Sequence, residues 1–232
     1  MTAFNPDDPR TWPLKVPLVA HDVGRSRDRS TAVVGGNCPL LVGPRLLGIK
    51  QFIELPLGIY GSQLANALAV IDQTYNRDCL IIADLSNNDT YGETLFDTFG
   101  PRIVGLQIGR SGDGTTRQVR QVRHGAIPVY NVGRTFLLEL LAAEFQDHRI
   151  RFADGADSRR AYEQLTALDR EQRDNGIVYK CPPGQHDDLA MSLAMLAWGA
   201  QHLHLDQWTR PIFDAHRRPR RSGQKGGWAA HT

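Results

Sequence analysis

Apolar and polar positions alternate in short runs through the first fifty-five residues, and after that apolar positions recur at helical spacing. Pro17–Val23 (PLVAHDV) is an apolar run broken only by His21 and Asp22. Thr31–Gly35 (TAVVG) is β-branched, and Arg45–Leu55 alternates. Turns with Gly and Asp separate these runs with no helical pattern between them, which predicts three successive antiparallel strands. In Tyr60–Tyr75, Leu64, Leu68 and Ile71 fall at i, i+4 and i+7 and predict a helix. Asp78–Asp84 (DCLIIAD) is almost continuously apolar, as a strand buried on both faces is. A short helix over Tyr91–Phe99, stopped by Gly100 and Pro101, and a strand over Arg102–Ile108 follow. The weak alternation in residues 109–130, at Val119 and Val122, suits a hairpin. Helices are expected over Thr135–Gln146, Ser158–Gln172 and His186–Leu203, with a short extended piece at Ile177–Cys181. Trp198, Phe136 and Phe145 fall inside helical patterns and are expected in the core. The order βββ-α-β-α-β-α predicts an α/β fold, a mixed sheet with helices on both faces.

Composition narrows this picture. The chain has 232 residues, 41% hydrophobic and 22% charged, which suits one globular domain with tails. The expected division is an extended lead-in over 1–16, a domain over 17–205 and a basic, mobile tail over 206–232. No apolar stretch approaches the ~20 residues of a membrane-spanning helix, and the start resembles no signal peptide. Three cysteines (Cys38, Cys79, Cys181) form no CxxC pair, so a zinc ribbon or disulfide framework is not indicated. A cytoplasmic protein is expected. The net charge of +2 hides an asymmetry. Over residues 207–232, Arg210, Arg217, Arg218, Arg220, Arg221 and Lys225 face a single acid, Asp214, so the rest of the chain is net acidic. Such a tail either attracts a polyanion or simply solubilises the end. None of the lysines sits in a GxxxxGK[ST] loop, which excludes ATP hydrolysis by that route.

Two acids stand where burial makes them costly. Asp22 ends the first apolar strand and Asp84 the fourth. A carboxylate there needs a capping role, a partner or a metal. If those strands are adjacent, the two groups lie within a few ångströms, where they repel unless a proton or cation intervenes. Oxygen ligands select hard cations such as Mg²⁺ or Mn²⁺. Taken singly, either aspartate is more often a cap or turn former. A third acidic position, HDDL at His186–Leu189, opens a helix. Capping explains one aspartate there but not two. Successive helical residues differ in direction by ~100°, so one of Asp187 and Asp188 is expected to face a shared site directly. His186 either orients a ligand or water or belongs to the helix start. Arg110, Arg117, Arg120, Arg123 and Arg134 are opposed only by Asp113, which suits either a phosphate-contacting hairpin or a solvated loop. Gly35-Gly36 lacks the spacing of a dinucleotide loop, and no serine lies in a GxSxG elbow.

Three segments together resemble a known family. DVGRSRDRSTAVVGG (Asp22–Gly36), LIIADLSNN (Leu80–Asn88) and HDDLAMSLAMLAWG (His186–Gly199) are similar to the three acidic motifs of the nuclease domain of phage large terminases. The third is the most specific, and the resemblance runs over about residues 15–205. It implies the fold of ribonuclease H and retroviral integrase and a two-metal DNA endonuclease working with Mg²⁺ or Mn²⁺. It further implies that Asp22 bridges both ions, Asp84 holds one and Asp187 or Asp188 the other. Asp28 matches a recurrent acid of the family, either a further ligand or a stabiliser of the turn after the first strand. Double-stranded DNA is the implied substrate, with a packaging ATPase, a small terminase subunit and a portal as partners. A complete large terminase carries an ATPase motor ahead of this domain. The missing phosphate loop therefore leads us to expect a separated nuclease domain, in the host cytoplasm if phage-encoded. Two rivals remain, a junction-resolvase-like nuclease and a non-catalytic DNA-binding or assembly module of the same fold.

Overall fold

The computed structural model describes residues 3–24, 29–41, 45–86, 89–173, 176–182 and 186–205. The strands β1 (Leu18–Asp22), β2 (Thr31–Asn37) and β3 (Leu47–Glu54) pair antiparallel in succession, with a register shift at Val34/Gly35. The helix α1 (Ser62–Thr74) then returns the chain so that β4 (Leu80–Asp84) lies beside β1 in parallel, Leu18 opposite Leu80. The chain continues through α2 (Asp89–Phe99) to β5 (Ile103–Gly109), which runs parallel to β4. The alternation in residues 109–130 does form a hairpin, of β6 (Asp113–Val122) and β7 (Gly125–Gly133), and β7 joins the sheet parallel to β5. After α3 (Arg134–Gln146), β8 (Ile150–Phe152) joins the far edge beside β3. The eight strands lie in the order β6-β7-β5-β4-β1-β2-β3-β8. Then come α4 (Ala156–Ala167), a separate two-stranded ribbon of β9 (Asp169–Arg173) and β10 (Gly176–Lys180), and α5 (Asp188–His202).

Burial follows the period of a strand. Leu18 and Ala20 of β1, with Leu80 and Ile82 of β4, share one core with α3, α4 and α5. Val19, Ile81 and Ala83 share the other with α1 and α2. Helix α5 is apolar all round and is buried from Leu189 to Ala200, so it runs inside the protein rather than across its surface. Each buried leucine of such a helix contributes about 1.5–3 kcal/mol. Gly199 permits the close approach, since a Cβ there would stand 2.1 Å from Cδ1 of Ile82. Trp198 is wholly buried, while Phe136 and Phe145 are half-buried against the same core.

Two expectations need correction. The helix expected over Ser158–Gln172 stops at Ala167, and Asp169–Arg173 turns away to pair with β10. All five side chains of β9 are exposed, so no apolar stripe holds them in a helix. Strand β8 was not anticipated. It has three residues, of which Ile150 supplies the buried anchor. The lead-in packs on the domain, because Trp12 is buried over Gly48 and its Nε1 donates to the Asn5 carbonyl at 3.0 Å. The tail from residue 206 lies outside the described residues. Among the described residues no helix is long and apolar enough to cross a membrane.

Candidate active site

The parallel register fixes the first two acids. His21 lies opposite Ala83, so Asp22 and Asp84, one step on, end neighbouring strands at one level, ~4.8 Å apart in backbone. Both follow the face that carries Leu18, Ala20, Leu80 and Ile82, the face covered by α5. The start of α5 brings Asp188 to the same edge. A short chain of hydrogen bonds holds it there: Thr31 Oγ1 donates to the Asp188 carbonyl at 2.8 Å and shares a 2.7 Å bond with Ser192 Oγ. Ser192 Oγ in turn accepts the Asp22 N–H at 3.2 Å. The first turn of α5 is thus tied to β1 and β2 through two buried hydroxyls.

The electrostatics agree with this placement. The Asp22 carboxyl is pushed up to about 8, first by burial and then by the charges of Asp84 and Asp188, with Arg134 pulling the other way. Asp84 is oriented by Ser86, whose backbone N–H reaches Oδ1 at 2.8 Å and whose hydroxyl donates to the same oxygen. Asp187 occupies the N-cap position of α5, yet its side chain makes no capping bond. Its carboxylate pairs instead with the Arg134 guanidinium at the first turn of α3. Capping therefore does not account for Asp187. Among the described residues no three His, Cys, Asp or Glu side chains are drawn together as a ready ligand set. Of the four acids, Asp84 is turned to Ser86 and Asp187 to Arg134. Asp28 lies outside the described residues.

A groove of about 800 Å³ opens beside this edge, with Arg29, Thr31, Arg160, Gln164, His186 and Asp188 among its walls. Arg160 and Arg29 both pair with Glu54, at 2.8 and 3.7 Å.

Among solved structures, the large terminase nuclease from thermophilic phage G20c superposes with a TM-score of 0.55 at 16% identity, over 82% of this chain and 86% of that one. The large terminase nuclease domain of Thermus phage P74-26 does so with a TM-score of 0.50 at 15% identity, over 79% and 78%. The chain has the fold of a phage large terminase nuclease domain. No protein-family profile and no curated protein sequence matches it.

Within the terminase nuclease fold, the hairpin register separates arginines that the sequence groups. Asp84 is level with Leu106, Tyr130 and hence Arg117. Arg120 lies three residues further along β6, where its guanidinium reaches the Leu85 carbonyl at 3.4 Å. Arg123 is in the turn that leads to Gly125, at the end of the hairpin remote from Asp84. Arg110 follows the carboxyl end of β5, on the acidic side of the sheet, and is exposed. Arg134 stands inside the acidic group itself. Sequence reasoning missed the supporting hydroxyls of Thr31, Ser86 and Ser192. Ser192 left one signal, a polar residue within the apolar run of α5, where its side chain is wholly buried.

Proposed function

We propose that this chain is a divalent-cation-dependent endonuclease that hydrolyses phosphodiester bonds of double-stranded DNA, as in viral genome packaging. The observation that carries the reading is the convergence of carboxylates at the edge where β1, β4 and α5 meet, where burial first and then the charges of Asp84 and Asp188 raise Asp22 to about 8. The donor set fits Mg²⁺ or Mn²⁺: hard oxygen ligands whose mutual repulsion a cation would relieve. Asp22, Asp84 and Asp188 would hold the ions. Asp188 is preferred to Asp187 because its charge bears on Asp22, whereas Asp187 is engaged by Arg134. Held by these carboxylates, two such ions would supply activation of a water and charge stabilisation at the leaving oxygen.

The chain's own groups do the rest. Asp22 retains a proton at neutral pH while the cation is absent and releases it on loading, so cation binding is proton-linked. Thr31 and Ser192 keep Asp188 and Asp22 at a fixed separation, and Ser86 fixes Asp84. Arg110 and Arg117, on the acidic side of the sheet, contact phosphates beside the scissile one. Arg29 and Arg160 line the groove along which a strand continues, and Arg123 adds at most distant affinity.

A plasmid-nicking assay with Mg²⁺, Mn²⁺ and chelator tests the reading. Nicking that requires either ion and is lost in Asp22→Asn is expected, with no response to ATP because the chain has no GxxxxGK[ST] loop. A folded protein that binds DNA but neither binds Mn²⁺ nor nicks would point instead to the non-catalytic module.

A further inference from the structure

We propose that Arg134 is an internal counter-ion that holds the acidic site closed to divalent cations until a DNA phosphate draws its guanidinium away from Asp187. The inference rests on the metal-dependent reading above and adds to it an order of loading.

Three observations point the same way. First, Arg134 begins α3 directly after Gly133, and Gly133 pairs with Gly109 at the carboxyl ends of β7 and β5, so the backbone delivers a guanidinium to the acidic side of the sheet. Second, its ion pair with Asp187 is made at the expense of a helix cap. An aspartate at the N-cap ordinarily accepts a backbone N–H of the first turn, and Asp187 does not. The Asp187 side chain is only 18% exposed and that of Arg134 35%, so the pair is screened less than a surface pair would be. Third, the further hydrogen bond of Arg134 among the described residues is weak. Its Nη1 is 3.5 Å from the Tyr179 carbonyl, a long bond that does not lock the fork in place.

A guanidinium carries one charge and a planar set of donors, which suits a carboxylate or a phosphate equally well. It therefore neutralises part of the acidic group while cation is absent and repels a doubly charged ion that approaches. A phosphate offers the same bidentate geometry. Once Arg134 engages it, Asp187 is released and the repulsion is replaced by an anion beside the cation. Each ligand then favours the other by the same factor, as linkage requires. Free cation would load poorly, and cleavage competence would arise only on DNA.

The test uses the full chain with Arg134→Gln and Arg134→Met, which remove the charge, and Arg134→Lys, which keeps it. Thermal melting establishes that each variant is folded. Mn²⁺ affinity is measured by calorimetry without DNA. Duplex affinity is measured by fluorescence anisotropy in Ca²⁺ and in chelator. We expect the charge-removing variants to bind Mn²⁺ roughly tenfold more tightly than wild type, the scale of one nearby unit charge in a partly buried site. Arg134→Lys should stay near wild type. The enhancement of duplex affinity by Ca²⁺ should be large in wild type and small in Arg134→Gln. Equal Mn²⁺ affinity in wild type and in the folded Gln and Met variants would overturn the counter-ion role and leave the nuclease reading standing. Absence of Mn²⁺ binding in every protein, wild type included, overturns both.

Discussion

Two arginine–aspartate pairs stand at opposite ends of the central strands, and they differ in what surrounds them. At the amino end of β4 and β5, Arg102 meets Asp72 through two bonds of 2.8 and 2.9 Å. Asp72 also accepts the Cys79 N–H at 3.0 Å, and Arg102 donates to the Cys79 carbonyl at 2.8 Å. Charge is balanced there, and the polar atoms answer one another. At the carboxyl end, Arg134 pairs with Asp187 but also stands in the field of Asp22 and Asp188, one cation against three acids among the described residues. Balance makes the first pair a fastening. Surplus is what the proposed function draws on at the second end, because an added cation would relieve repulsion there.

The comparison breaks most sharply at Asp84. Asp84→Asn removes a charge from the surplus end and should lower plasmid cleavage roughly a thousandfold or more, since metal-held charge stabilisation is worth several kcal/mol. Its circular dichroism should match wild type. Cleavage at the wild-type rate would show that the surplus is incidental. The next effect belongs to the balanced end. Asp72→Ala leaves a guanidinium that is 13% exposed without its carboxylate and should cost about 3–5 kcal/mol in urea unfolding. Cleavage per folded molecule should be unchanged. A stability loss below about 1 kcal/mol would place this pair with ordinary surface pairs.

A smaller effect is set by pH. In chelator, Asp22 is raised in the folded state from 3.8 to about 8, so the folded protein binds the extra proton between those values. Its contribution to stability is full below about pH 4 and is lost as pH rises through about 8. Denaturation at a series of pH values should show that decline, and Asp22→Asn should flatten it. A slope that Asp22→Asn leaves intact would assign the decline to another group. The smallest effect is chemical. Burial, with the negative charge of Asp72, pushes the Cys79 thiol well above its ordinary range. Labelling of Cys79 should be slow in wild type, faster in Asp72→Ala and unaltered in Asp84→Asn. Equal labelling in the two variants would contradict the separation of the two ends.

The surplus end was largely legible in the sequence, and the balanced end was not. Asp22 and Asp84 interrupt apolar runs at their last residue, where no amphipathic pattern excuses a charge. That they are neighbours depends on the parallel pairing of β1 and β4, about sixty residues apart, which the family resemblance supplied and periodicity alone did not. Asp72 was hidden because a helix tolerates acids, although it follows Ile71 and lies four residues after Leu68 on the buried side. Arg134 was grouped with the hairpin arginines because they are close in sequence. Only the register shows that Arg123 and Arg134 lie at opposite ends of that hairpin. The proposed preference for Asp188 over Asp187 rests on a side-chain partner of Asp187 more than fifty residues away, which no local pattern encodes.

The sheet has two margins, and they are guarded in different ways. On one side β8 is only three residues long, too short to template a second chain. On the other, β6 offers ten residues of strand, long enough to recruit a neighbour by backbone pairing. Arg117 and Arg120 lie along that strand, and a second copy docking there would set like charges against one another. Arginines that the proposed function sets against phosphate thus also disfavour pairing of two copies through this edge.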